Sequence, residues 1–164
     1  MVFVPSVPAS GQAAVVRNGL PRLSADQCRA LIERATSGHI ALSQGALPMV
    51  LPVACRAVGE SLLVRAASTV LGRAPAQPGI VAFAAAGSSA DERWRWEVVV
   101  QGRAEVVPPV AAGSADLSGL LEPPDLSLLG GEFTTVLRIS MELVAGWQFG
   151  DPALLHEQIE EPVR

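Results

Sequence analysis

The strongest constraint on the fold comes from three short apolar segments that follow one another closely in the first half of the chain. Residues 38–44, 47–58 and 61–66 have the length and composition of β-strands, and only two residues separate each segment from the next. Two-residue connections join antiparallel neighbours, because a parallel crossover needs about a dozen residues or more. The sequence therefore predicts a run of antiparallel strands, with Gly59-Glu60 as a hairpin turn.

A single helix is predicted immediately before these strands. Ser24 is a good N-cap residue, and Gln27 three positions later completes a capping box. Apolar residues then recur with helical spacing and form one stripe, made of Cys28, Leu31, Ile32 and Ala35. Gly38 is predicted to end the helix as a left-handed C-terminal glycine.

Two prolines distinguish the second strand from its neighbours. Pro48 and Pro52 interrupt residues 47–58. Because proline has no N–H to donate to a strand ladder, this segment is predicted to be an edge strand or a bulged one.

Three further strands are predicted later in the chain. Residues 79–86 form a continuous apolar run bounded by glycine, as in a buried strand. Residues 96–107 and 133–143 alternate between two faces, as strands with one buried face do. One leading helix and about six short strands predict a mainly β fold, an antiparallel barrel that is closed or nearly closed.

The overall composition limits the number of domains and the kind of partner. With 164 residues, 49% of them hydrophobic, the chain is expected to form one domain with a sizeable core, at residues 22–150. Residues 1–21 are predicted to be a flexible arm and residues 151–164 an acidic tail. The net charge of −4 argues against a nucleic acid and against an anionic membrane surface as partners.

The N-terminal sequence and the cysteines indicate neither secretion nor a metal site. The N-terminus lacks a basic region and prolines break its apolar runs, so no signal peptide is expected and a cytoplasmic location is the default. No apolar stretch is long enough to span a bilayer. Cys28 and Cys55 lie in no CxxC pair and have no histidine at ligand spacing, so no metal site is predicted.

The end of the third strand is the main candidate for a binding site. Arg65 is followed by Ser68 and Thr69 at a turn or helix start. A guanidinium offers a planar fork of donors, and hydroxyls and free backbone N–H groups add more. The sequence therefore predicts an anion site. A surface arginine in a cross-strand ion pair, followed by a simple helix N-cap, is the alternative.

The order of these motifs resembles the pyridoxamine 5'-phosphate oxidase-like family of FMN-binding split barrels. The family's opening helix, short strand and Pro-Val strand are similar to LSADQCRALIERATSGHIALSQGALPMVLPV, and its strand ending in arginine is similar to LLVRAASTVL. Its tryptophan-containing strand and its closing strand are similar to WRWEVVVQGRAEVV and LRISMELVAGW. The resemblance covers residues 22–149.

This resemblance implies a fold, a cofactor and a partner. The expected fold is a six-stranded antiparallel split β-barrel with an N-terminal capped helix, and the expected assembly is a homodimer with FMN at the interface. The expected function is that of a flavin-dependent oxidoreductase with a small-molecule redox substrate, whose identity the sequence does not indicate. By position, Arg65, Ser68 and Thr69 would face the FMN phosphate.

The resemblance also assigns residues to the flavin ring. The strand containing Val50 and Pro52 would lie along the flavin, as would the strand of His39 to Ser43. Trp96 would lie on a barrel strand near the interface, with core packing as the alternative.

Two positions depart from the family pattern. Val70 stands where the family commonly has a phosphate-binding lysine, and Ala66 where it has a threonine. Arg73 is a candidate to replace the missing cation. A barrel that has lost FMN and serves as a binding or interaction module therefore stays open as an alternative, as does a deazaflavin in place of FMN.

Overall fold

The computed structural model describes residues 22–44, 47–66, 79–89, 91–107 and 135–150 of the chain. These residues form one helix and seven strands in a fixed order along the chain. The elements are α1 (Ala25–Arg34), β1 (Ser37–Gln44), β2 (Leu47–Val58), β3 (Ser61–Ala66), β4 (Gly79–Ser88), β5 (Trp94–Val106), β6 (Thr135–Ser140) and β7 (Leu143–Gly150). The predicted arm 1–21, the tail 151–164 and the turn or helix start predicted at Ser68 and Thr69 lie outside the described residues.

Six of the strands close into an antiparallel barrel. β1, β2, β3, β6, β5 and β4 are neighbours in this order, and β4 pairs back with β1. β7 pairs with β5 and lies outside the ring. The predicted mainly β fold, a six-stranded antiparallel split barrel with a capped N-terminal helix, is confirmed.

The barrel interior is filled by alternate residues of the strands, as a small barrel requires. The predicted alternation of β5 is confirmed, because Trp94, Val98 and Val100 are buried while Gln101 and Arg103 are exposed. Branched and aromatic side chains from the other strands complete the core, among them Ile40, Val53, Leu62, Phe83 and Ile139.

The helix begins as the sequence predicts. Ser24 Oγ accepts a hydrogen bond from the Gln27 N–H at 3.2 Å, and Gln27 Oε1 accepts one from the Ser24 N–H at 2.8 Å. The predicted stripe faces the barrel, where Cys28, Leu31 and Ile32 are buried. At ten residues α1 is too short to cross a bilayer, and the described segments contain no other helix.

The prediction for the C-terminal end of the helix is wrong. The helix ends at Arg34 with Ala35 in extended conformation as the C-cap, and Gly38 lies in β1 without a positive φ. A Cβ at Gly38 would overlap the ring of Phe83 and the carbonyl oxygen of Ala84. This glycine therefore allows β1 to approach β4 closely and does not terminate the helix.

Replacing Ser24 by alanine is expected to lower the free energy of unfolding by about 1 kcal/mol, because the Gln27 N–H loses its acceptor. Urea denaturation followed by circular dichroism measures the difference. Ser43→Ala is the matched control, since Ser43 is exposed on β1, and it should change stability by less than about 0.5 kcal/mol. Equal losses in the two variants would contradict a capping role.

The prediction of an edge strand holds for one half of β2. Leu47 to Ala54 pair with β1, whereas β3 pairs only with Ala54 to Val58. Within the described residues, the half of β2 that contains Pro48 and Pro52 therefore has a partner strand on one side only.

The single closing strand predicted at 133–143 is divided in two, which corrects that prediction. β6 ends at Ser140 and β7 begins at Leu143, and both pair with the same edge of β5. The division occurs opposite Gly102, where a Cβ would overlap the Ser140 carbonyl oxygen. Ser140 Oγ stabilises the corner by accepting from the Arg103 N–H at 2.9 Å and bonding Glu142 Oε1 at 2.7 Å.

Candidate functional site

Arg65 lies near the end of β3 on the outer surface of the barrel. Leu62 and Val64 of the same strand face the barrel interior and belong to the main core. Arg65 faces the other side of the sheet and is half-buried. In register it stands opposite Ala54 of β2 and Val136 of β6. Arg65 is therefore a half-buried cation between β2 and β6 on the outer side of the sheet, a position that suits the binding of an anion.

Two other predicted site residues lie on the adjoining strand. Pro52 and Val50 precede Ala54 by two and four residues on β2, so alternation places them on the same surface as Arg65. Val50 is 65% exposed and Pro52 is half-buried. The structure thus brings together an apolar strip and an arginine at the end of it. His39, exposed on β1, lies opposite Pro52 beside this strip.

Trp96 lies elsewhere. It faces the same side of β5 as the buried Trp94 and Val98, and it packs against the main core. Its indole covers Gly87 of β4, where an added Cβ would lie 2.6 Å from the indole nitrogen. The structure therefore does not place Trp96 on the surface of Arg65. The remaining predicted ligands, Ser68, Thr69 and Arg73, lie outside the described residues.

Two arginines that the sequence analysis did not single out lie close to Arg65. Arg56 of β2 and Arg138 of β6 stand on either side of Leu63 of β3, one row further along the sheet, and both are exposed. Together Arg56, Arg65 and Arg138 are called the outer arginine surface. Alternation along each strand could have predicted the side of the sheet on which each arginine lies. It does not give the register between strands that makes the three arginines neighbours.

Apolar contacts support the outer arginine surface. Leu63, Ala54 and Val136 are buried on the outer side of the sheet and form a small second cluster with Val58 and Val107. This packing fixes the strands that carry the three arginines.

One carboxylate lies beside the outer arginine surface. Glu105 of β5 stands opposite Arg138 in register. In the described part of the chain, however, the ion pairs within 4.0 Å join Arg29 to Glu60, Arg93 to Asp91 and Arg95 to Glu92, and none involves Arg56 or Arg138.

A second part of the barrel surface is apolar and open. Val50 and Ile80 are each 65% exposed, and Ala41 of β1 and Ala82 of β4 lie between them in register. Leu47 and Leu143 are also exposed, but Leu47 lies on the other side of β2 from Val50, and the exposed Gln101 of β5 stands between Ala82 and Leu143. We call Ala41, Val50, Ile80 and Ala82 the outer apolar face. Small alanines at its centre make this face flat, which suits contact with another flat surface.

An open cavity of about 530 Å³ lies beside the turn that joins β4 and β5. It is lined by Ala86, Gly87, Ser88, Glu92, Arg95, Trp96, Glu97 and Phe149. The Glu92 and Arg95 side chains pair with each other at 3.1 Å. The cavity contains none of the residues of the outer arginine surface.

The two cysteines are structural. Both thiols are buried and unbridged, and burial raises the pKa of Cys28 to about 11 and that of Cys55 to about 12. Cys55 Sγ donates to the Ala35 carbonyl oxygen at 3.3 Å. Both thiols therefore stay protonated near neutral pH and are poor nucleophiles. Among the residues that the structure describes, no three His, Cys, Asp or Glu side chains group as metal ligands.

Solved structures with this fold include several flavin-binding proteins. The FAD-binding protein of Mycobacterium smegmatis has a TM-score of 0.59 and 21% identity, over 79% of this chain and 98% of its own. An FAD-binding protein of Mesorhizobium loti has a TM-score of 0.58 and 20% identity, over 80% and 99%. The flavocytochrome Anf3 of Azotobacter vinelandii has a TM-score of 0.61 and 18% identity, over 90% and 78%. At these identities the similarity establishes the fold alone.

Sequence comparison identifies the family directly. No curated protein matches the chain. Residues 24–147, which include every described strand except the last three residues of β7, match the family described as pyridoxamine 5'-phosphate oxidase. The chain therefore belongs to the pyridoxamine 5'-phosphate oxidase family.

Proposed function

We propose that this chain is a flavin-dependent oxidoreductase, which binds the phosphate of FMN at Arg65 and holds the flavin ring along the outer side of β2. The observation that carries the proposal is the position of Arg65 at the end of the apolar strip of Val50 and Pro52. An apolar surface and a cation at its end match the two ends of a flavin nucleotide, one planar and apolar and the other doubly charged.

The dimensions of the strip support this fit. Val50 lies four residues before the row of Arg65, which is about 13 Å of strand, and Pro52 lies about 7 Å from that row. This separation leaves room for a sugar-alcohol chain between a ring over Val50 and a phosphate at Arg65. The guanidinium would form charge-assisted hydrogen bonds with the phosphate, the strongest polar contacts available at such a surface.

A second copy of the chain is part of the proposal. The outer apolar face exposes Val50 and Ile80 beside the strip, and a flat apolar area of this kind commonly marks an interface. A homodimer that buries this face would also cover the flavin ring and exclude water from it. The cofactor would then lie between the two barrels.

The chemistry of such a site would come from the flavin, which exchanges electrons or a hydride with a small-molecule redox substrate. The residues of the chain would bind and orient the cofactor. No acid, base or nucleophile is required of them, which agrees with the buried, protonated cysteines.

Two substitutions favour a second candidate function. Val70 and Ala66 stand at the positions where the family pattern has a phosphate-binding lysine and a threonine. The positive charge available to the phosphate is therefore reduced. A dimer that no longer holds FMN, and serves as a binding module, would have the same fold. A deazaflavin would occupy the same strip with the same phosphate contact.

The test is a titration of the purified, cofactor-free protein with FMN, followed by flavin fluorescence. Wild type should bind FMN saturably, and Arg65→Ala should weaken binding by about tenfold or more, the effect of losing one charge-assisted contact. The control is Arg95→Ala, which removes an equal charge from a side chain that pairs with Glu92 and lies away from Arg65. This control should leave the FMN affinity within about twofold of wild type.

The outcome separates the candidate functions. Absence of saturable FMN binding would contradict an FMN-dependent enzyme and favour the binding module. A deazaflavin that displaces FMN at lower concentration would assign the site to that cofactor. Equal affinities in wild type and Arg65→Ala would mean that the phosphate lies elsewhere.

A further inference from the structure

His39 lies on the middle strand of the sheet surface that carries the outer apolar face. It precedes Ala41 by two residues on β1, so the two side chains point to the same side of the sheet. In register His39 stands between Pro52 of β2 and Ala84 of β4, and its side chain is exposed. The row of His39 therefore directly adjoins the row of Ala41, at the centre of the outer apolar face.

The immediate surroundings of His39 carry no charge. On its own strand and the two neighbouring strands, the adjacent positions on the outer side of the sheet are Ser37, Ala41, Val50, Pro52, Ala54, Ala82, Ala84 and Ala86. Neither β1 nor β4 contains another acidic or basic residue, and β2 contains only Arg56, four residues beyond Pro52.

The nearest charged residues on this side of the sheet belong to strands further away. Arg65 of β3 stands in the row of Ala54, and Glu97 of β5 stands in the row of Ala86. Each is two strands and one row from His39, which is about 12 Å between Cα atoms. Among the residues that the structure describes, none forms an ion pair with His39. A charge on this imidazole therefore has no partner within its own described surface.

A homodimer that buries the outer apolar face would also bury His39. A stable interface covers about 800 Å² of each partner and takes about 20 residues from it. The four residues of the outer apolar face are too few, so the interface has to extend into the adjoining rows. In the row of His39 it meets Pro52, Ala84 and Val99, which are half-buried apolar residues of β2, β4 and β5. The imidazole would then lie among apolar groups with little access to water.

We propose that His39 makes the assembly of this homodimer depend on pH. Histidine changes its charge between about pH 8 and pH 5. In the separated chains water hydrates the charged imidazolium, whereas in the dimer no carboxylate of its own chain is close enough to compensate the charge. The dimer is therefore stable above the pH at which His39 takes up a proton, and it dissociates as the pH falls further. A symmetric interface contains two copies of His39, which doubles the effect.

This inference rests on the proposed function, because it takes the homodimer and its interface from there. It adds a form of regulation to the same site. Since the flavin ring would lie between the two barrels, a dimer that weakens in acid also exposes the ring to water.

The experiment measures the dimer dissociation constant of the full chain by sedimentation velocity at about pH 7.5 and about pH 5.5, where histidine is mostly neutral and mostly charged. For wild type the constant should rise by about tenfold or more at the lower pH, the effect of displacing one proton equilibrium by about one unit. In His39→Gln, whose side chain stays neutral, it should change by less than about twofold. His39→Lys, charged at both pH values, should form a weak dimer at both.

His156→Gln is the matched control, because His39 and His156 are the two histidines of the chain. This variant should keep the wild-type dependence on pH. Circular dichroism at both pH values verifies that the barrel stays folded. His39→Lys tests the same charge near neutral pH alone, so the comparison does not depend on the stability of the barrel in acid.

The outcomes separate the switch from the assembly. A wild-type dimer that is equally tight at both pH values, a pH dependence that persists in His39→Gln, or a tight His39→Lys dimer would overturn the inference and leave the proposed dimer intact. A dimer that tightens at the lower pH would also overturn it, since His39 would then meet a carboxylate of the second copy. A protein that is monomeric at both pH values would overturn the inference together with the proposed assembly, while the FMN titration of Arg65→Ala decides the phosphate site separately.

Discussion

Replacing Gly102 by alanine is expected to lower the free energy of unfolding by more than about 3 kcal/mol, or to prevent folding. Gly102 is buried in β5, and an added Cβ would overlap the carbonyl oxygen of Ser140. That oxygen belongs to the backbone of the corner between β6 and β7, so it cannot move aside as a flexible side chain could. The corner would have to shift and weaken the hydrogen bond between the Arg103 N–H and Ser140 Oγ.

Thermal and urea denaturation measure this effect. Gly79→Ala is the matched control, because a Cβ at Gly79 on β4 would meet no atom of the described residues within 4 Å. We expect its stability to lie within about 0.5 kcal/mol of wild type or slightly above, since alanine restricts the unfolded chain. An equal, small effect of the two substitutions would contradict the close packing inferred at the corner.

The second large effect is expected at the outer apolar face. Aspartate at both Val50 and Ile80 should convert a homodimer into monomers, because unpaired carboxylates would be buried at the interface. The same variant should lose flavin binding, since Val50 lies beneath the proposed ring. Light scattering coupled to size-exclusion chromatography measures the mass, and circular dichroism verifies that the barrel is intact.

Val106→Asp provides the control for this variant. Val106 is 54% exposed at the end of β5 and does not belong to the outer apolar face, so the same change should leave the mass unchanged. A wild-type protein that is monomeric at micromolar concentration would contradict the proposed assembly, as would a Val50→Asp, Ile80→Asp variant that stays dimeric.

The features of the fold that were predictable from the sequence are those set by neighbouring residues. The capping box of Ser24 and Gln27, the hairpin at Gly59-Glu60 and the alternation of β5 each depend on a few consecutive positions. The role of Gly38 was not predictable from its neighbours, because a side chain at this position would overlap the ring of Phe83, which is distant in the chain. The division of the last strand likewise depends on the distant Gly102.

The candidate site shows the same limit. Arg65 was recognisable because it ends a strand and precedes hydroxyl-bearing residues. Arg56 and Arg138 were not recognisable in this way. Alternation gives the side of the sheet on which each arginine lies, but it does not give which residues of neighbouring strands lie opposite each other. Their proximity depends on the pairing of β3 with β2 and with β6, which places Leu63 opposite both. A register shifted by one residue would have separated them.

The prolines of β2 limit how two copies of the barrel can associate. A strand with a vacant side normally invites another chain to add to the sheet, which leads to uncontrolled polymers. Pro48 and Pro52 offer no N–H for such an addition. Association by continuous sheet extension is therefore opposed along this half of β2, so a contact between two copies of the barrel here would depend on side chains.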